Sequence, residues 1–493
     1  MSLLTLLLII LVVAGLLSYL MIKVWKKSKQ WLMTFLQNYI GILFIVSGFV
    51  KAIDPLGTAY KMDDYFAAFE VLFQNSWFSF LTPVFPFFTE YSVLFSVLMI
   101  VFEMLLGVML IIGAFPLFTA WGFLLLIILF LFLTGYTYLT GYVPPEINFW
   151  HFSQWSDFDP ANMKVTTCGC FGDFITFAPF TSFMKDVVLF FPGVYFVIFH
   201  KKMHQLGKAF FRKIVAGIAT ILFILYCMSN YYWDIPHFNL RPFKNGVNIL
   251  EQQEKEAEAA SKTEPLRWHL KNKKTNEVII VKNADFESAK YPTDQWEYIH
   301  TDFTKPEIPT TQISDFYIES FEGNLMTEDI LNYKGLTMVL VMEKLESKAI
   351  PKYVTVSDTI FSMDTIPNAE QDTFTLVKNI QEIKNYNVTR YDHEWKNSYL
   401  KRFEQKIKPF VNDAKKADIR VIALVGGDAD QVASFKEKTG LDIEYYTADN
   451  ILLKTMIRSN PGIMLLSNGT IIEQWHWRRL PDFDIYSRNL KVD

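Results

Sequence analysis

The chain has 493 residues, a formal net charge of −4, 51% hydrophobic residues and only three cysteines. That length implies more than one domain, and the lack of a basic excess argues against nucleic acid as a partner. Residues 1–233 hold nearly every long apolar run, whereas 234–493 is mixed and charged like a soluble domain.

A helix needs about 20 consecutive apolar residues to cross the hydrocarbon core, because its backbone polar groups must be satisfied internally there. Six runs approach that length, at 3–21, 31–50, 92–115, 118–143, 184–199 and 214–233. The first lacks a positive leading region and a small-residue cleavage site, so it reads as a retained span rather than a signal peptide. The fifth is short and is interrupted by Pro192-Gly193. Lys23, Lys26, Lys27 and Lys29 follow span 1, and Lys201, Lys202, Lys208, Arg212 and Lys213 separate spans 5 and 6. The loops after spans 2 and 4 carry mostly acids. Basic loops stay cytoplasmic. The amino terminus, the loop around residue 168 and all of 234–493 are therefore expected outside, which in a bacterium with two membranes means the periplasmic side of the inner (cytoplasmic) membrane.

Within the spans, Lys51 sits at the end of the second run with Asp54 one turn on. A lysine there can snorkel to the interface or take part in a site. Asp54-Pro55 stops the helix, since the residue before proline avoids the helical basin, and 60–69 reads as a short amphipathic helix on the outer face. Glu103 lies in the middle of an otherwise uncharged run. An ionised carboxylate at that depth costs roughly 2.5–3.5 kcal/mol even on the gentler scales. It must face the bundle interior, stay protonated or pair, either as structural glue or as a proton-handling or quinone-binding group.

Cys168-Gly169-Cys170 lies in a polar, turn-prone loop followed by Phe171-Gly172-Asp173. A bond between cysteines so close in sequence closes a strained ring, and strained disulfides are the more oxidising ones. A zinc site ranks low: beyond the two thiols only His151 and Asp173 stand near, and no second ligand pair has recognised spacing. A purely structural turn is the third reading. Cys227, inside the sixth run, reads as a small buried hydrophobe.

From 37 to 200, about a third of the chain, these features resemble the DoxX/MauE group of four-helix membrane proteins. The matching residues are Ser47 through Gly57, Tyr60-Lys61, Tyr65, Glu103 with Gly107, Cys168 through Asp173, and Lys185-Asp186. The resemblance implies thiol or sulfur oxidation and maturation of disulfide-rich periplasmic enzymes. It implies Cys168, Cys170, Asp173 and Glu103 as the reacting groups, and Lys51, Asp54, Lys61, Lys185 and Asp186 as binding groups. Residues 1–30 are then an extra amino-terminal span, 31–200 the four-helix domain and 201–233 the sixth span.

Beyond it, 234–306 is a linker with an exposed helix or disordered stretch at 251–262 and a small hairpin at 267–269 and 277–282. Residues 307–493 resemble a redoxin, the peroxiredoxin- and TlpA-like branch of the thioredoxin fold. Strands are expected at 336–342, 420–425, 442–446, 463–466 and 470–474, with a helix at about 394–415. Pro461 matches the place of that family's cis-proline. The family's Cys-X-X-Cys would follow Met342, but the chain runs Glu343-Lys344-Leu345-Glu346 there, and a long insert reaches to about 392. Without a thiol the domain cannot exchange disulfides, so it is expected to bind a protein, with the insert as a candidate surface. The cluster at 475–479 reads as a sheet-edge patch.

The expected architecture is a polytopic α-helical membrane bundle of six spans with a four-helix core, plus a periplasmic α/β thioredoxin-like domain. Two functions follow. One is a redox-linked role in the maturation of envelope proteins, with thiol–disulfide exchange at Cys168 and Cys170 and a quinone that could take the electrons. The alternative is a non-catalytic scaffold or accessory subunit whose cysteine-free domain holds an envelope partner.

Overall fold

The computed structural model describes residues 3–26, 28–74, 76–165, 169, 178–275, 277–368 and 373–482. The chain divides into two compact units, Met1–Arg241 and Pro242–Asp493.

The first unit is helical. Helix α1 (Leu3–Tyr19) runs on through a π turn at Leu20–Val24. It is followed by α2 (Trp31–Ile53), α3 (Pro55–Gln74), the short α4 (Val84–Glu90), α5 (Ser92–Ile112), α6 (Pro116–Thr140), α7 (Pro179–Phe199) and α8 (Ala209–Ser229). Six helices are long and apolar enough to cross a membrane: Leu4–Val24, Trp31–Ile53, Ser92–Ile112, Pro116–Thr140, Pro179–Lys202 and Ala209–Ser229. Their outward faces expose Leu4, Val12, Leu16, Phe191, Ile198 and Phe210. Water penalises such a surface and acyl chains do not. Each of the six expected spans is matched within a few residues. Pro192 does not break α7, since the turn left without its amide bond is tolerated where neighbouring helices support it. Gly193 beside it lets α7 approach α6, for a Cβ there would meet the Leu124 side chain at 3.0 Å.

Small residues also bring α2 and α5 together. A Cβ on Gly41 would stand 2.8 Å from the Gly107 carbonyl oxygen, and one on Gly107 would stand 2.7 Å from that of Gly41. Backbones in contact bring α2 and α5 together over their length, as small residues commonly do inside membranes. Asp54 breaks the chain between α2 and α3, with φ −131° and ψ 77°, and its Oδ1 accepts from the Gly57 amide at 3.0 Å. It is thus an N-cap for α3. That helix is longer than the expected 60–69 segment, because Pro55 can open a helix as readily as it ends one.

The second unit begins with α9 (Ile249–Ser261), capped by Asn248, whose side chain accepts from the Glu251 amide. The stretch expected at 251–262 is therefore a helix. Strands β1 (Pro265–Asn272) and β2 (Val278–Lys282) form the expected hairpin, and β3 (Trp296–Phe303), which the sequence did not reveal, joins β1 on its other edge. After α10 (Thr327–Leu331) come β4 (Leu336–Met342), β5 (Ser347–Asn368), β6 (Thr373–Trp395), α11 (Asn397–Arg402), α12 (Lys408–Lys416) and β7 (Arg420–Val425). The chain continues with α13 (Ala429–Thr439), β8 (Glu444–Thr447), α14 (Asn450–Met456), β9 (Gly462–Ser467) and β10 (Thr470–His476).

The main sheet has the order β10-β9-β4-β7-β8. Strands β4, β7 and β8 are parallel, β9 pairs antiparallel with β4, and β10 pairs antiparallel with β9. Asn468 and Gly469, both at positive φ, make the tight turn between β9 and β10. The hydrophobic core packs Met338, Leu340 and Met342 against Tyr399, Phe403 and Phe435. The segment 475–479 lies at the edge strand, with His476 buried. The insert is a two-stranded ribbon, β5 against β6, running from Ser347↔Trp395 to Asn368↔Thr373. Its 22 paired residues on β5 reach about 70 Å at a strand's rise per residue.

Glu256 on α9 ties that helix to the segment leading into the sheet. Its carboxylate accepts from the Thr311 amide and hydroxyl, both at 2.8 Å, from Gln252 and from the Ser314 hydroxyl. Burial pushes this carboxyl up, but the hydrogen bonds from Ser314, Gln252 and Thr311 outweigh it and hold the group below its usual range. A depressed carboxyl contributes stability that is present above the unfolded pKa and lost as pH falls through the folded one. Glu256→Gln is expected to melt at a lower temperature than wild type near neutrality. Between about pH 5 and about pH 3 it should lose less further stability than wild type. Thermal melts of the full chain across that window check this.

Candidate functional site

Several polar residues of the helical unit line a cavity of about 60 Å³. Ser47 and Lys51 of α2 reach it one turn apart, as do Lys185 and Leu189 of α7. Helix α3 offers Thr58, Lys61, Met62 and Tyr65, and α6 offers Ile127, Phe130 and Thr134. Spacings of three, four and seven put these residues on one helical face each.

Lys51 does not snorkel. Its side chain is 4% exposed, and Nζ stands 2.6 Å from Glu103 Oε2, itself 2% exposed. The ammonium also lies 5.0 Å from the centroid of the Phe130 ring. The buried acid of α5 has therefore taken the pairing option, and the pair lines the cavity wall. In a medium of low dielectric constant each charge depends on the other, since either alone would carry the full desolvation cost.

A second polar group sits on the α6–α7 side. Asp186 is fully buried; Thr134 Oγ1 lies 3.0 Å from its Oδ2 and 2.8 Å from the Phe130 carbonyl. Lys185 Nζ stands 2.9 Å from Asp186 Oδ1, a charge contact whose angles are not those of a hydrogen bond. Tyr65 donates to Thr137 Oγ1 at 2.7 Å, because the Thr137 proton goes to the Leu133 carbonyl at 3.0 Å. Thr134, Thr137 and Thr140 recur every three residues on an apolar helix. That spacing is the sequence signal for Thr134 and Thr137.

Lys61 pairs with Asp64 at 3.1 Å on the more open side and lines the cavity with its stem. Gly169 also lines it. The residue has φ +62°, a left-handed conformation that favours glycine. A Cβ there would meet Lys61 Cγ at 3.3 Å. Cys168, Cys170 and Asp173 lie outside the described residues. The other sequence-predicted residues divide. Lys51, Glu103, Lys61 and Lys185 line the cavity and Asp186 adjoins it through Thr134, whereas Asp54 caps a helix. Cys227 is buried among Ala52, Val97, Ile100 and Met104, as a small core residue.

Pro461 belongs to the second unit. The Asn460–Pro461 bond is cis, and the surrounding residues are tied down. Asn460 Nδ2 donates to the Lys344 carbonyl at 2.7 Å, and Arg402 Nη1 reaches both the Asn460 carbonyl at 2.9 Å and Glu346 at 2.8 Å. Arg402 also stacks over the Trp477 ring at 5.1 Å. The stretch after β4 is thus occupied by an ion pair and carbonyl contacts, in a unit whose sequence has no cysteine.

Comparison with family models, curated proteins and solved structures gives no match.

Proposed function

We propose that this chain is a DoxX/MauE-like protein of the bacterial inner membrane with a redox-linked role in maturing envelope proteins. The observation that carries this reading is Gly169. The residue between the two cysteines lines the same cavity as the buried Lys51–Glu103 pair. In the proposed arrangement the flanking thiols would work with that intramembrane acid to move electrons and protons together.

In the proposed step, two thiols of a client reduce a Cys168–Cys170 disulfide, so that the client gains a disulfide and the pair becomes two thiols. Reoxidation passes two electrons and two protons to a quinone, giving a quinol. Asp173 would take the proton from an attacking thiol, and Glu103, held by Lys51, would relay protons along the cavity. Lys61, Lys185 and Asp186 would bind the acceptor's polar end. The distribution of basic loops supports placing both the cysteine loop and the second unit in the periplasm.

Redox state tests this directly. In intact cells under oxidising conditions, thiol alkylation is expected to find Cys168 and Cys170 protected, and Cys170→Ser to trap a mixed disulfide with a client. Persistently modifiable thiols, together with an unaltered phenotype in Cys168→Ser/Cys170→Ser, would overturn the reading.

One observation favours a second, compatible role for the other unit. Its strand order and its cis-proline support a thioredoxin-like ancestry, and the Glu346–Arg402 pair stands where the family's thiols would follow the first central strand. We read it as a docking module that presents clients, with the ribbon β5–β6 as its contact surface.

A further inference from the structure

The three-stranded sheet of the second unit carries a cluster that the function above does not use. His269 on β1 is paired directly across from His300 on β3. Asp302, two residues beyond His300, lies on the same face by the alternation of a strand. The two imidazole rings stack with centroids 3.9 Å apart and planes 18° from parallel. His269 Nε2 stands 3.1 Å from Asp302 Oδ2, and His300 Nε2 stands 3.5 Å from Oδ1 of the same carboxylate. Each residue thus offers one ligand atom, and all three atoms lie within 4.8 Å of one another.

We propose that His269, His300 and Asp302 form a binding site for a divalent transition-metal cation of the zinc type. Tetrahedral zinc with bonds of about 2.0–2.1 Å holds neighbouring donor atoms about 3.3 Å apart. The two nitrogen–oxygen separations, 3.1 and 3.5 Å, are close to that value but run to the two different oxygens of the carboxylate, so a metal would bind once the stacked imidazoles turn to aim both lone pairs at it. Two imidazole nitrogens select zinc, cobalt or nickel over magnesium or calcium, which take oxygen donors. Three protein ligands leave a fourth position for water or for a group on a partner.

Arg267, opposite Asp302 in the β1–β3 register, is a basic neighbour that a bound cation would have to tolerate. The structure contributes a second feature: the register of β1 and β3 shifts between His269 and Leu270. Such bulges re-aim side chains.

The test uses the full chain in detergent, stripped with a chelator and dialysed against zinc. Wild type is expected to bind zinc at this site, and His300→Gln and Asp302→Asn each to weaken it at least about tenfold, since even outer-shell changes cost that much. Cobalt in place of zinc should give visible ligand-field bands that both variants lose. His300 is exposed, so its replacement empties no core, and circular dichroism verifies the fold of each variant. Zinc affinity and cobalt bands unchanged in folded variants would overturn the proposal. So would a cobalt spectrum showing only thiolate charge transfer, which would put the metal on cysteine. The proposal does not depend on the redox reading.

Discussion

Glu103→Gln, made alone, is expected to destabilise the helical unit by about 3–5 kcal/mol, because it strands the Lys51 ammonium in a buried site. Lys51→Met should cost a similar amount by stranding the carboxylate. The double variant Lys51→Met/Glu103→Met should recover most of the loss, since apolar residues of similar volume pack well in place of a buried ion pair. Denaturation in mixed micelles measures all three. The double variant also separates glue from proton handling. A structural pair leaves the oxidation state of Cys168 and Cys170 in cells unchanged once stability returns. A proton-handling pair leaves the thiols reduced even in the well-folded double variant. Equal instability of the single and double variants would mean that charge pairing is not what holds α2 to α5.

The second large effect lies in the other unit. Tyr399 is fully buried against Trp395, Phe403 and Phe435, at the point where α11 meets the sheet. Tyr399→Ala is expected to cost about 3–5 kcal/mol, the usual range for emptying an aromatic site. Tyr399→Phe should do the opposite of what its position suggests. The hydroxyl makes no hydrogen bond among the described residues, and burial raises its pKa well above normal. Removing an unsatisfied buried hydroxyl is neutral or stabilising by up to about 3 kcal/mol. Thermal melts of the two variants decide it, and a Phe variant as unstable as the Ala variant would show that the hydroxyl has a partner.

The ribbon explains one difference between what the sequence suggested and what the chain does. The sequence assigns no strand to the insert following Glu346 because its strands face solvent widely, with Ile350, Tyr353, Ile383 and Tyr386 all exposed. With no buried face there is no in–out alternation to read. Strand β3 was missed for a related reason. Its burial pattern runs mostly exposed, and its partner β1 lies some 30 residues away in sequence, beyond any local period.

Local pattern was enough to determine the six spans, the break at Asp54-Pro55, the strand positions of the main sheet and the prominence of Glu103. Hydropathy, proline and helix or strand periodicity act over a few residues, and a carboxylate in an apolar run needs a partner wherever the chain places it. Tertiary structure alone decided that the partner is Lys51, that Asp186 meets Thr134, and that two histidines share one aspartate. Lys51 and Glu103, like Thr134 and Asp186, stand 52 positions apart, and His269 stands 31 positions from His300. No period in the sequence relates such residues, and only the packing of whole helices and strands brings them within bonding distance.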